Sequence, residues 1–341
     1  MPRVVIAPDK FRGTADAAAV AGAMARAAAA AGWEATVTPM SDGGEGLLDA
    51  CAGICPERMV TEVAGPNGAP VFAEWGRGPG LAVVEMARAS GLTLAGGPAV
   101  NDPMSASTWG TVELLVAAAR AVGSHGTVVL GMGGSATTDG GQGALEAIAE
   151  AGGLQGVRLV GAYDVDVSFV DAARLFGPQK GATPEQVTQL TLRLQHLATS
   201  WVAQFGVDVG GIPGSGAAGG MGGAVAILGG SLRSGYRMVA EQVGMAEALA
   251  AADRVVTGEG SLDDTSFAGK VVGGVVGDAR GLGLDTLVVA GRCTSEAKAT
   301  AELAGCRVVA LADWFGVERA LGDTLECIEK VTAGWLAGPG G

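Results

Sequence analysis

Two histidines and two tyrosines in 341 residues leave little imidazole or phenol for chemistry, and aromatic residues make up only 4% of the chain. His125 stands in a turn and His196 in an amphipathic helical stretch, so both read as surface or packing residues. With neither H-E-x-x-H nor G-x-S-x-G present, zinc hydrolysis and serine hydrolysis find no support. Positive charge is also scarce: 22 Lys and Arg face 35 Asp and Glu, a formal net charge of −13. That balance excludes nucleic acid or an anionic membrane as the main partner, since each needs an exposed basic stripe. No apolar run reaches membrane-spanning length. Met1 leads into the strand-like RVVIAP and not into a basic leader, so a cytoplasmic protein is expected. The five cysteines are scattered and odd in number, which argues against a disulfide framework. Cys51 and Cys55 could share a helix face, but no second ligand pair accompanies them, and both read as buried thiols.

Glycine is abundant, 59 residues, and hydrophobic residues reach 48%. With so few aromatics, the core must be built from Ala, Val and Leu. The glycines have no collagen period; they cluster in GMGGSATTDGGQG, GIPGSGAAGGMGG and TGEGS between apolar segments, where backbone that approaches a ligand would sit.

The length suggests about two domains. At the N-terminus a strand near 3–7, an Ala-rich helix over about 15–31 and a strand near 34–39 form one βαβ unit. The rhythm returns after 240 as a helix over 242–251, the strand DRVVTG, a helix over 270–281, DTLVVAG, a helix over 295–304, CRVVALA and a final helix. Together the two ends predict an α/β fold with a flavodoxin-like, doubly wound parallel sheet of order 2-1-3-4-5. Residues 1–62 and 240–341 are expected in that discontinuous domain, and 63–239 in an inserted α/β domain containing LAVVEMA, TVVLG, RLVGAYD and a long helix around 184–205. Trp314 and Trp335 read as packing residues. Ligands of such sheets bind beyond the carboxyl ends of the strands, here at APDKFRGT and TGEGSLDD.

Within TVVLGMGGSATTDGG, Gly131-x-Gly133-x-x-Ala136 lies between a strand and a helix, a geometry that suits phosphate or a dinucleotide. Asp164 lies too far along for the usual ribose-binding acid. A second glycine turn, Gly214-Ser215-Gly216, could present amides at a helix start or act as a structural turn. No Walker A loop exists, because Asp264 and Val271 stand where glycine and Ser or Thr are required before and after Gly269-Lys270. Acidic residues recur in glycine loops: Asp9, Asp42 with Glu45, Asp139, and Glu259 with Asp263. An Asx turn explains any one of them. Together with Lys10, Arg12, Lys180 and Lys270 they supply the carboxylates and cations that phosphoryl transfer needs around a magnesium ion.

The segments VIAPDKFRGT, PMSDGGEGLLDA, VAGPNGAPVFAEWG, AVVEMARASGL, STWGTVEL, GMGGSATTDGGQGAL, LFGPQKGAT, PGSGAAGGMGGA and VVTGEGSLDD with AGK run nearly end to end and in order as in the bacterial glycerate kinase family, which the chain resembles. The resemblance implies ATP-dependent phosphorylation of D-glycerate with Mg²⁺, 2-phosphoglycerate as the usual product, and an active site in the cleft between two α/β domains. The chain departs from that family in carrying Lys10 and Arg12 where relatives read PDSFKG, Ser261 where they read GEGRLD, and Thr138 for Asn. The stretch around Asp164 lacks their Asn-Pro turn.

On that basis Asp42 or Asp139 orients or deprotonates the acceptor hydroxyl, with Lys10 as a catalytic cation. Asp9, Arg12, Glu45 and Lys270 are assigned to substrate. ATP is assigned to Gly133, Gly134, Ser135, Ala136, Gly214, Ser215, Gly216 and Gly258, and Mg²⁺ to Glu259 and Asp263. Small-molecule partners are expected, with a homodimer possible. The competing expectations are a nicotinamide-dependent dehydrogenase using the Gly131 loop and a non-catalytic sensor of glycerate or nucleotide.

Overall fold

The strands follow in chain order as β1 (Arg3–Ile6), β2 (Glu34–Val37), β3 (Glu57–Ala64), β4 (Pro70–Gly78), β5 (Leu81–Glu85), β6 (Thr127–Gly131), β7 (Arg158–Tyr163), β8 (Ser231–Ser234), β9 (Arg254–Leu262), β10 (Asp285–Cys293) and β11 (Cys306–Ala310) in a computed structural model that describes residues 1–154, 156–267 and 269–338. They divide between two compact units, Met1–Asp42 with Tyr236–Gly341, and Gly43–Gly235.

In the first unit the sheet order is β2-β1-β9-β10-β11 with every pairing parallel, which is the expected 2-1-3-4-5 arrangement. Val4, Val5 and Ile6 are buried because β1 is central and covered on both faces. Helix Ala17–Ala30 begins at Asp16, whose side chain accepts from the Ala19 N–H. Its buried stripe, Val20, Ala23, Met24 and Ala27, is small enough to lie close to helix Thr324–Ala337. Strand β9 runs through Leu262, so Glu259, Gly260 and Ser261 belong to a strand and not to a loop. The cause is β10, which continues to Cys293 and pairs with them. Trp335 packs on Arg254, 4.8 Å from guanidinium to ring, whereas Trp314 is 59% exposed and not a packing residue.

The second unit holds a sheet of order β3-β4-β5-β6-β7-β8, antiparallel across β3, β4 and β5 and parallel from β5 to β8. Residues 43–62, grouped with the chain ends on sequence, belong here because β3 pairs along its whole length with β4. Helix Pro184–Phe205 starts in a capping box between Thr183 and Gln186 and buries Leu190, Leu194, Leu197 and Trp201. Among the described residues no helix is long and apolar enough to cross a membrane. All five cysteines are free; burial pushes the Cys51 thiol up to about 12 and that of Cys55 up to about 11, as expected of inert thiols.

Candidate functional site

In the first unit β1 has β2 on one side and β9 on the other, so the direction of winding reverses beyond their carboxyl ends. There the chain after β1 is laid onto β9: the Ala7 N–H donates to the Val256 carbonyl and the Asp9 N–H to the Gly258 carbonyl, each at 2.9 Å. Gly260 permits this closeness, since a Cβ there would stand 3.0 Å from the backbone of Phe11 and Arg12, while Gly258 lets β9 approach β10, where a Cβ would stand 2.0 Å from the Val289 oxygen. The Gly258 carbonyl positions Asp9 and is occupied by that contact.

A cavity of about 590 Å³ opens at this place, lined by Asp9, Lys10, Arg12, Asp42, Glu259, Asp263 and Lys270 among others. Residues far apart in the sequence, from Asp9 to Lys270, are thus brought together by strand ends. Burial pushes the Asp9 carboxyl up to about 7; Asp42 and Glu259 add like-charge repulsion, against Lys10 and its N–H. Burial also carries Glu259 up to about 7, opposed by Ser266 and Lys270 and reinforced by Asp263 and Asp42. Two groups are less available than expected. Oδ1 of Asp263 accepts from the N–H and hydroxyl of Thr265, which holds its carboxyl below the usual range. Lys270 Nζ donates to Thr265 Oγ1 at 2.8 Å. Arg12, exposed at the cavity wall, has no hydrogen-bond or ion-pair partner among the described residues.

Among the described residues no group of three or more His, Cys, Asp or Glu side chains is arranged to hold a metal alone. Magnesium does not require one: it takes one or two carboxylates and completes its shell with phosphate and water. Glu259 Oε1 is buried without a hydrogen-bond partner among the described residues, and Glu259 is close enough to Asp42 for their charges to repel. A cation would satisfy that oxygen and relieve the repulsion, so the residues fit magnesium. Asp9 is buried and close enough to Glu259 for their charges to repel; one of its oxygens accepts from the Lys10 N–H, as one of Asp263's accepts from Thr265.

In the second unit the turn after β6 passes within contact of residues 43–46. A Cβ on Gly133 would lie 2.4 Å from the Gly44 Cα, and one on Gly134, whose φ is +68°, 2.8 Å from Glu45 Oε1. Glu45 is thus placed against the glycine turn. Glu85 orders the same segment by accepting from the N–H groups of Gly46 and Leu48. Gly134 and Ala136 are tied to residues 90–92 by the Leu92 N–H to Gly134 carbonyl and Ala136 N–H to Ser90 carbonyl bonds. The N–H groups of Gly133 and Gly134 donate to no protein acceptor among the described residues, so they are open to an anion.

Asp139, expected as a catalytic acid, is held in a hydrogen-bond network. Its Oδ2 accepts from the N–H and hydroxyl of Thr108 and the N–H of Gly143, and its Oδ1 from Gly141. Both oxygens are engaged in joining the starts of helices Trp109–Val122 and Gln142–Ala151. Lys180 lies beside it, 4% exposed, donating to Ser135 Oγ at 2.9 Å and the Thr137 carbonyl at 2.6 Å. Burial lowers Lys180 to about 8, against the opposing charge of Asp139. The turn Gly214-Ser215-Gly216 also differs from expectation. Its three N–H groups donate to Asp166, Ile212 and Val167, so it braces the fold and has no amide left for a nucleotide.

Thr108, Glu85 and Thr265 act in these networks without a sequence signal, because a hydroxyl or a strand-end acid announces itself only through its partner. Arg292 was equally silent; it lines the cavity from β10.

The "Glycerate kinase family" model matches residues 4–151 and 150–334 of this chain. A glycerate kinase of Halalkalibacterium halodurans is 37% identical over 336 residues, covering 85% of this chain and 86% of its own. The glycerate 2-kinase of Escherichia coli K12 is 35% identical over 332 residues, with 86% of each chain covered. A crystal structure of a glycerate kinase 2 candidate from Salmonella typhimurium LT2 superimposes with a TM-score of 0.77 at 30% identity, covering 98% of this chain and 97% of that one.

Proposed function

This chain belongs to the glycerate kinase family, and from that premise we propose that it transfers the terminal phosphoryl group of ATP to D-glycerate, giving 2-phosphoglycerate. The observation that carries the proposal is the cavity beyond β1 and β9, where Asp9, Asp42 and Glu259 meet Lys10 and Arg12.

Phosphoryl transfer asks a protein for positioning and for charge placed around a group that leaves one oxygen for another. Arg12 offers an unengaged guanidinium to the carboxylate of the acid, which suits a planar, bidentate contact. Asp42 accepts the proton of the attacking hydroxyl late in transfer. Lys10 offsets negative charge at the transferred group. Bound magnesium supplies neutralisation of the phosphate oxygens; Asp9 and Glu259 would hold it. The open N–H groups of Gly133 and Gly134 take the nucleotide's phosphates, while Lys180 fixes the following turn through Ser135 and Thr137.

The decisive experiment is a coupled assay of ADP release from ATP with D-glycerate, with the product identified by phosphorus NMR. ADP release dependent on glycerate and magnesium, with the phosphate on the 2-hydroxyl, is expected. Stabilisation of the protein by NADH and not by ATP with magnesium would favour a dehydrogenase, and stabilisation without ADP release a sensor.

A further inference from the structure

The cavity has a fourth cation besides Lys10, Arg12 and Lys270, and it arrives from a different strand. Arg292 of β10 stands in register with Ser261 of β9. Partners paired in a parallel sheet project from the same face, so the two side chains are neighbours by construction. Arg292 Nε donates to Ser261 Oγ at 3.0 Å, and both residues line the cavity. Two glycines let the strands come close just before this pair: a Cβ on Gly291 would sit 2.5 Å from the Gly260 oxygen. Ser261 thus fixes one edge of the guanidinium. Its two terminal nitrogens have no partner among the described residues. An arginine held by one edge beside a cavity presents its other N–H groups as a preformed fork for an anionic oxygen pair.

We propose that Arg292 is an anion-binding residue of this cavity, contacting the carboxylate of the acid substrate or a phosphate of the nucleotide. The inference rests on the kinase reading for the identity of the two ligands. It does not rest on it for the contact itself.

The test compares the wild-type chain with Arg292→Ser, Ser261→Arg and the double variant that exchanges the two residues. Calorimetric Kd values for D-glycerate and for ATP are measured separately, beside KM and kcat. Arg292→Ser is expected to weaken binding of one ligand about tenfold or more, and the ligand affected identifies the contact. The exchanged double variant should return that Kd to within about threefold, because the charge again enters the same space. Unchanged affinity for both ligands in Arg292→Ser overturns the proposal. So does a loss that the double variant fails to restore, since a purely structural Arg292 would behave in that way. A wild-type chain that binds the ligands in this pattern but releases no ADP overturns the kinase reading alone, and one that binds neither ligand overturns both.

Discussion

Thr108 gives both its backbone N–H, at 2.9 Å, and its hydroxyl, at 2.8 Å, to the same oxygen of Asp139. The hydroxyl in turn accepts from the Ala144 N–H, so two helix starts share one carboxylate. Four donors converge on Asp139, three on Oδ2 and one on Oδ1.

Asp139→Asn should therefore act on stability. The new amide must turn a donor toward N–H groups or abandon them, and a loss of about 2–4 kcal/mol is expected in urea titrations. Asp42→Asn should lower kcat about 100-fold or more and leave the urea midpoint in place. The reverse assignment of effects would show that the catalytic acid had been misplaced.

Asp9 and Glu259, both raised to about 7, make the metal-free protein sensitive to pH. Each binds its proton more tightly folded than unfolded, so their contribution to stability is full below the unfolded carboxyl pKa near 4 and is lost as pH rises through about 7. Thermal melts without magnesium should fall across that window. Magnesium with ATP should raise Tm more at pH 8 than at pH 5.5, and Asp9→Asn with Glu259→Gln should abolish most of that difference. Equal magnesium shifts at both pH values would place the ion elsewhere.

Gly133 and Gly134 answer differently to a methyl group. At Gly133 it would meet the Gly44 backbone at 2.4 Å, and backbone cannot swing aside. At Gly134 it would meet the side-chain end of Glu45, and the φ of +68° adds about 1 kcal/mol of strain. Gly133→Ala is expected to raise KM for ATP by about tenfold or more, and Gly134→Ala by less. KM values taken at saturating D-glycerate decide between the two orders.

Lys180 gives a third signature. Its folded pKa of about 8 lies below its ordinary 10.5, so the folded state binds fewer protons between those values and gains stability as pH rises through them. Urea stability of the wild type measured against Lys180→Met should improve between pH 8 and pH 10. A difference that stays flat would mean that the ammonium is not held out of water.

The two chain ends were legible as one sheet because parallel, fully covered strands such as β1 and β10 are short apolar runs separated by helix-length amphipathic segments. The hairpin of β3 and β4 was readable in principle, since PNG stands between ERMVTEVA and APVFAEWG, but half-exposed antiparallel strands carry a weaker apolar signal. Short β8, SLRS, offers four residues with little hydrophobicity and takes its strand identity from β7.

Local chemistry is what the chain determined by itself: which segments form strands and helices, which turns demand glycine, and that acids and cations cluster just past strand ends. Only the tertiary structure decided which acids line a cavity. Asp42 and Asp139 sit in similar glycine-flanked sequences, yet one lines a cavity and the other accepts twice from Thr108, 31 residues back in the chain, as well as from Gly141 and Gly143 beside it. The difference lies in the partners, because a carboxylate's work is set by what occupies its lone pairs and by how much water reaches it, and both depend on chain brought in from elsewhere.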